Sequence, residues 1–256
     1  MVRPKKHLGQ HFLKNENIAQ QISNGLTGKH YQTIIEIGPG MGVLTQFLQK
    51  RKEELYVIEI DTESVDYLHG KFELRFDHIL EANFLYFPVK DFFKDKQVAV
   101  AGNFPYNISS QIIFKVLEDA ELVAEVVGMF QKEVAERIVA GPGSKTYGII
   151  SVLTAAFYSG EYLFTVEPEE FVPPPKVKSG VIRLTRKPDF YQFPVNRRLF
   201  TRIVKAGFNQ RRKTLRNALK SLNLPDDSRL EKFHSKRAEQ LSLEDFIELT
   251  TIVENH

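Results

Sequence analysis

The chain has 256 residues, enough for one large domain or a core domain with a small companion. A hydrophobic content of 42% supplies a core, and the absence of cysteine excludes disulfides, thiolate nucleophiles and thiolate metal sites. Net charge is only +3, so its distribution says more than its total.

The start, Met1-Val2-Arg3-Pro4-Lys5-Lys6-His7, is basic but leads into no apolar signal-peptide core. No window approaches the ~18–20 apolar residues of a membrane span. We therefore expect a cytoplasmic protein with no membrane partner. The seven histidines are scattered, and we expect no metal site. Next comes Gly9-Gln10-His11-Phe12-Leu13, which reads either as a functional arm or as a segment packing one Phe.

Thr33 to Ile37 reads as a buried strand running into Glu36-Ile37-Gly38-Pro39-Gly40-Met41-Gly42. Glycines there let the backbone approach a ligand closely at the mouth of a helix. The spacing is G-x-G-x-G with Val43 next, whereas the dinucleotide fingerprint is G-x-G-x-x-G, which disfavours a nicotinamide oxidoreductase. Leu55 to Ile60 is a second strand. Glu59 at its end lies 21 residues after Gly38, where an acid accepts hydrogen bonds from ribose hydroxyls. These residues fit an adenosyl ligand without a pyrophosphate, such as S-adenosylmethionine. The alternative is a surface Glu59.

His78 to Leu80 and Val98 to Ala101 read as two more strands. The second leads into Gly102-Asn103-Phe104-Pro105-Tyr106-Asn107 and then a helix that Ser109 or Ser110 can cap. An amide, a proline and a phenol thus sit at a strand's carboxyl end, where open α/β sheets bind ligands. The exocyclic amine of adenine is a poor nucleophile because its lone pair is delocalised into the ring. The side-chain carbonyl of Asn103 and a backbone carbonyl, of Phe104 or Pro105, can accept its two hydrogens and favour a pyramidal nitrogen. Tyr106 can stack on the ring. The hexapeptide taken alone is also compatible with a simple turn.

Glu125 to Phe130 is a fifth strand and Gly141-Pro142-Gly143-Ser144 a loop. Phe171-Val172-Pro173-Pro174-Pro175-Lys176-Val177 cannot be helix interior or central strand. It is either a stiff crossover packing Phe171 into the core or a second stacking surface for a flipped base. Val181 to Leu184 is a last short strand. The order implies a mainly parallel sheet with helices on both faces, an α/β Rossmann-like fold.

Composition shifts near Arg186-Lys187-Pro188-Asp189, which places a first domain at 1–189 and a small helical domain at 190–256. Helical patterns run over Val195 to Lys205, Thr214 to Leu222 and Leu243 to Val253, with a break expected at Gly207 to Gln210. Nine Lys/Arg and no Asp or Glu lie between Arg197 and Lys220. So one-sided a segment points to nucleic-acid phosphates rather than a solvated face of mixed sign. Arg198, Arg202 and Lys205 recur at helical spacing, as do Arg212, Arg216 and Lys220, with Arg211, Arg212 and Lys213 at the centre.

In order along the chain, the Gln-His-Phe-Leu arm, the Glu36-to-Gly42 loop, Asn103-Phe104-Pro105-Tyr106 and Phe171-x-Pro-Pro-Pro-Lys-Val resemble the ribosomal RNA adenine dimethyltransferases. Two further stretches, Gln131 to Arg137 and Phe208 to Asn217, are similar to the KsgA-type small-subunit branch. The resemblance covers about residues 5 to 220. It implies an S-adenosylmethionine-dependent methyltransferase sheet (domain 1–189) and an rRNA-binding helical domain. It also implies a monomer that dimethylates two adjacent adenosines near the 3′ end of 16S rRNA in the small ribosomal subunit, in ribosome biogenesis. His11 and Leu13 would contact the cofactor, Gly38 its methionine side and Glu59 its ribose. The family has an Asp in a Gly-Asp pair for the adenine amine. The matching pair here is Ala82-Asn83, with Glu81 as the other candidate. Asn103 would serve both the cofactor and the target amine, with Pro105 beside it, and Tyr106 and Phe171 would clamp the base. The competing readings are a large-subunit adenine methylase of the erythromycin-resistance type and a non-catalytic RNA-binding assembly factor on the same fold.

Overall fold

A computed structural model describes residues 2–255. They pack as two units, one comprising residues up to Glu136 with Gly160–Arg186, the other Arg137–Ser159 with the chain from Lys187 onward. Residues 137–159, which composition placed with the first domain, belong to the second unit. Among the described residues no helix is long and apolar enough to cross a membrane.

In chain order the strands are β1 (Phe12–Leu13), β2 (Thr33–Ile37), β3 (Glu54–Glu59), β4 (Ile79–Glu81), β5 (Val98–Asn103), β6 (Val123–Gln131), β7 (Tyr158–Val166), β8 (Phe171–Val172) and β9 (Ser179–Arg186). The helices are α1 (Glu16–Gly25), α2 (Thr45–Leu48), α3 (Thr62–Lys71), α4 (Val89–Phe93), α5 (Ser109–Glu118), α6 (Lys132–Ile138), α7 (Ile149–Phe157), α8 (Arg197–Asn209), α9 (Leu215–Ala218), α10 (Glu231–His234) and α11 (Leu243–Glu254).

Seven strands form one sheet in the order β4-β3-β2-β5-β6-β9-β7. Pairing is parallel from β4 to β6, and β9 joins β6 antiparallel. Apolar runs such as Val98-Ala99-Val100-Ala101 are buried throughout, because a parallel strand has both faces covered. The chain moves from β2 outward through β3 and β4, then returns to place β5 on the other side of β2. That reversal opens a crevice at the carboxyl ends of β2 and β5.

Strand β7 was not legible in the sequence. Its residues carry Ser, Gly and Glu on an edge largely exposed to solvent, without the alternation of a half-buried strand. The expected cap of α5 is also different. Ile108 occupies the N-cap with no side-chain bond, and the Ser109 hydroxyl donates to the Tyr106 carbonyl at 3.2 Å.

The second unit is helical around Phe200, Ile203, Val204, Leu215, Phe233 and Phe246, all nearly inaccessible to solvent. The Tyr147 hydroxyl donates to the Leu241 carbonyl at 3.0 Å. Helix α8 ends at Asn209 with Gln210 as its C-cap, within the break expected at Gly207 to Gln210. Gly207 itself lies inside the helix, where a Cβ would sit 3.3 Å from Ala238 and Leu215, so this glycine serves close packing.

Candidate active site

The crevice is built from loops that leave the carboxyl ends of four neighbouring strands. After β2 the chain turns through Gly38 and Gly40, with φ of +64° and +55°, a region that favours glycine. The Gly40 N–H donates to Glu59 Oε2 at 3.1 Å. Glu59 Oε1 accepts from the N–H groups of Ile60 and Asp61 at 2.8 and 3.0 Å. Glu59 is therefore not a surface residue; it is 4% exposed, and its carboxylate shapes the loop around it. Burial raises its pKa, and the three N–H groups only partly offset this.

One strand away, Glu36 is 1% exposed and accepts from the Thr45 hydroxyl at 2.7 Å. Burial, reinforced by the charge of Glu59, pushes its pKa up to about 8 despite that hydrogen bond.

A cavity of about 220 Å³ runs from Gly38 and Gly40 past Glu59 and Ile60 to Asn83, Phe84 and Leu85, and is closed on its other side by Asn103 and Pro105. His11 also lines it. Leu13 instead lines a smaller adjoining cavity with Glu36, Gly38 and Asn103. Glu81 is exposed and accepts from the Thr62 hydroxyl, outside the cavity wall. The Asn83 side-chain oxygen accepts the Leu85 N–H at 3.0 Å and caps the turn at Phe84–Tyr86. That oxygen carries a second lone pair, so it keeps an acceptor position and the NH₂ keeps its donors.

Asn103 ends β5 and donates through Nδ2 to the backbone carbonyl of His11 at 2.8 Å. That bond fixes which end of the amide is which and leaves Oδ1 unspent. The neighbouring Phe104 side chain is buried against Gly102 and Gly128, where an added Cβ would meet its ring at 2.7 and 2.1 Å. Gly128 lies inside the β-branched run of β6, and a glycine in such a strand marks close approach. That was the available signal for its role. The Pro105 carbonyl accepts the Ile108 N–H at 3.2 Å, whereas among the described residues none donates to that of Phe104.

The arm before β1 is held from several directions. β1 pairs antiparallel with β8. The His11 ring donates from Nδ1 to the Pro173 carbonyl at 2.8 Å, since a carbonyl can only accept. Lys5 pairs with Asp61 at 2.5 Å; burial acts to raise the Asp61 pKa, but hydrogen bonds from Lys5, Gln10 and Ser64 outweigh it and hold the group low.

A second cavity, of about 430 Å³, shares Gly9, Gln10, His11 and Tyr106 with the first and is walled by Pro173, Pro174, Pro175 and Lys176. Tyr106 therefore stands between the two. Its ring stacks on His11 with centroids 5.3 Å apart at 29°. Phe171 is not at this wall. It pairs with Leu13 across β1 and β8 and is 1% exposed in the core, so it presents no face for stacking.

In the second unit, Arg198, Arg202 and Lys205 are exposed along α8, and Arg212, Lys213, Arg216 and Lys220 are exposed beyond it. Among the described residues no carboxylate pairs with these seven. Arg211 differs, because Glu239 holds it at 2.9 Å and it donates to the Lys145 carbonyl. Among the described residues no group of His, Asp or Glu is arranged to hold a metal ion.

The sequence profile described as "Ribosomal RNA adenine dimethylase" matches residues 1–255. The chain is 55% identical to the ribosomal RNA small subunit methyltransferase A of Flavobacterium johnsoniae, over 99% of this chain and 97% of that protein. It is 48% identical to the protein of the same name from Porphyromonas gingivalis, over 99% and 98%. Among solved structures, a dimethyladenosine transferase from Plasmodium falciparum superposes with a TM-score of 0.77 at 26% identity, covering 93% of this chain and 96% of that one. The 23S rRNA methyltransferase ErmE shares the fold, with a TM-score of 0.70 at 22% identity over 94% and 99%. With a full-length profile match and relatives near half identity, this chain belongs to the ribosomal RNA adenine dimethylase family.

Proposed function

We propose that this chain transfers methyl groups from S-adenosylmethionine to the N6 amines of two adjacent adenosines near the 3′ end of 16S rRNA, dimethylating each as a step in ribosome biogenesis. The observation that carries this reading is the Asn103 amide, which lines the first cavity and is tied through Nδ2 to the arm so that Oδ1 is left to accept. When bound, S-adenosylmethionine supplies a methyl group activated by its sulfonium. The first cavity suits it. Gly38 and Gly40 admit a close backbone approach, and Glu59 is a buried acid whose oxygens keep one acceptor position unspent after three N–H bonds. The second cavity receives the target base, against Tyr106.

Asn103 Oδ1 and the Phe104 carbonyl accept the two amine hydrogens and direct the nitrogen lone pair out of the ring plane. The protein's contribution is chiefly this positioning. The methylated nitrogen becomes acidic and loses its proton to water, so no strong base is required beforehand. Labelled S-adenosylmethionine with unmethylated small and large subunits tests the reading. Label on small-subunit adenosines is expected. Label on the large subunit would mean the erythromycin-resistance type, and cofactor binding without label would mean a non-catalytic factor.

Asn83 lines the adenine end with an acceptor position left on its oxygen, and Asn83→Asp keeps both the Leu85 cap and that acceptor while adding a charge. The variant is expected to bind S-adenosylmethionine several-fold more tightly, about 1 kcal/mol, the gain from a neutral to a charged hydrogen bond. Isothermal titration checks this, and weaker binding would contradict the placement.

The exposed cations of the second unit grip rRNA phosphates. Each lost contact flattens the log-affinity against log-salt slope by roughly 0.7–0.9 through counterion release. Arg212→Ala with Arg216→Ala is expected to weaken rRNA binding at low salt and flatten the slope accordingly, with cofactor affinity unchanged. Filter binding across a salt series reads both; an unaltered slope would leave only a solvated face.

A further inference from the structure

Tyr106 is held at its far end by a residue that no motif singled out. Its hydroxyl is hydrogen-bonded to the Ser179 hydroxyl. Ser179 is wholly buried and is the first residue of β9. It pairs across to Gln131, the last residue of β6, and Gln131 lines the second cavity. So the strand edge bearing that cavity also anchors the phenol standing between the two cavities.

A tyrosine with only its ring packed can swing about its first side-chain torsion. Anchoring the hydroxyl removes that freedom, because the oxygen is the point farthest from the backbone. The stacked His11 limits the ring on one side, and His11 is itself held by the Pro173 carbonyl. What remains open to a base is one fixed ring plane. The hydroxyl is engaged with Ser179, so the ring rather than the oxygen is what Tyr106 presents.

We infer that Ser179 is a positioning residue for methyl transfer, acting through the Tyr106 hydroxyl to hold the ring plane against which the target base lies. The inference rests on the reading of the second cavity as the target-base site. Ser179 touches neither substrate nor cofactor; it acts on the rate only through Tyr106. Its loss lowers turnover without weakening subunit binding, which the phosphate contacts dominate.

A double-mutant cycle tests this. Methylation of unmethylated small subunits is measured for the wild type, Ser179→Ala, Tyr106→Phe and the double variant, with kcat and KM separated. Cofactor affinity is measured in parallel by titration. Ser179→Ala is expected to lower kcat by about tenfold, the upper range for one lost hydrogen bond. KM and cofactor affinity are expected to hold, and the double variant to match Tyr106→Phe alone. Losses that multiply in the double variant would overturn the inference, as would wild-type kcat in Ser179→Ala or a matching fall in cofactor affinity.

A readout independent of activity uses fluorotyrosine incorporated throughout, with the Tyr106 fluorine signal assigned by its absence in Tyr106→Phe. Ser179→Ala is expected to shift or broaden that signal and leave the other tyrosines unmoved. An unchanged Tyr106 signal would overturn the anchoring itself. A shifted signal with no change in kcat would instead locate the failure in the base-site reading.

Discussion

Asn103→Ala is expected to fold normally and to lose on the order of 100-fold in single-turnover methyl transfer, the scale of one lost positioning contact. The substitution removes the acceptor for the target amine and also releases the His11 carbonyl that Nδ2 now holds at 2.8 Å. Asn103→Asp is expected to do no better. A carboxylate retains an acceptor but cannot donate to His11, and it sets two oxygens against each other. Thermal unfolding and cofactor titration show whether fold and cofactor site persist. Rates close to wild type on small subunits would remove Asn103 from the mechanism.

Glu59→Ala is expected to weaken S-adenosylmethionine binding by ~1.5–3 kcal/mol, the range for hydrogen bonds to a charged group. The side chain does two jobs, since three loop N–H groups already converge on it. Glu59→Gln is therefore not conservative. Its NH₂ would face either Gly40 or the Ile60–Asp61 pair, donor against donor. The raised pKa also sets a pH dependence. Only the ionised form keeps an acceptor position for a ribose hydroxyl while satisfying the loop, so affinity is expected to fall as pH drops through that raised value. Titration calorimetry at several pH values reads both effects, and an unchanged dissociation constant in Glu59→Ala would remove the ribose assignment.

Most of the parallel sheet was legible because β2, β3, β5 and β6 are continuous apolar runs ended by glycine, acid or amide. The glycine loop after β2 and the Asn103–Tyr106 turn were legible for the same reason, being punctuation at strand ends. What escaped depended on distant pairing. Nothing local in Phe12–Leu13 announces a partner at Phe171–Val172, and that pairing turns Phe171 into the core. Glu239 lies 28 residues beyond Arg211, so the arginine read as free. Glu125, inside a buried strand, gave no hint of the Thr27 and Tyr31 hydroxyls that satisfy it at 2.9 and 2.7 Å.

The group that orients Asn103 is a main-chain carbonyl, not a side chain. Replacing His11 with any other residue leaves that oxygen in the chain, so residue-by-residue scanning understates what the arm contributes. Its hold on that amide lies in the path of the backbone, kept by the β1–β8 pairing and the Lys5–Asp61 bridge. Side chains of the arm can vary where they do not fix its course, as Lys5 and His11 do. Only severing or displacing the segment exposes its full importance.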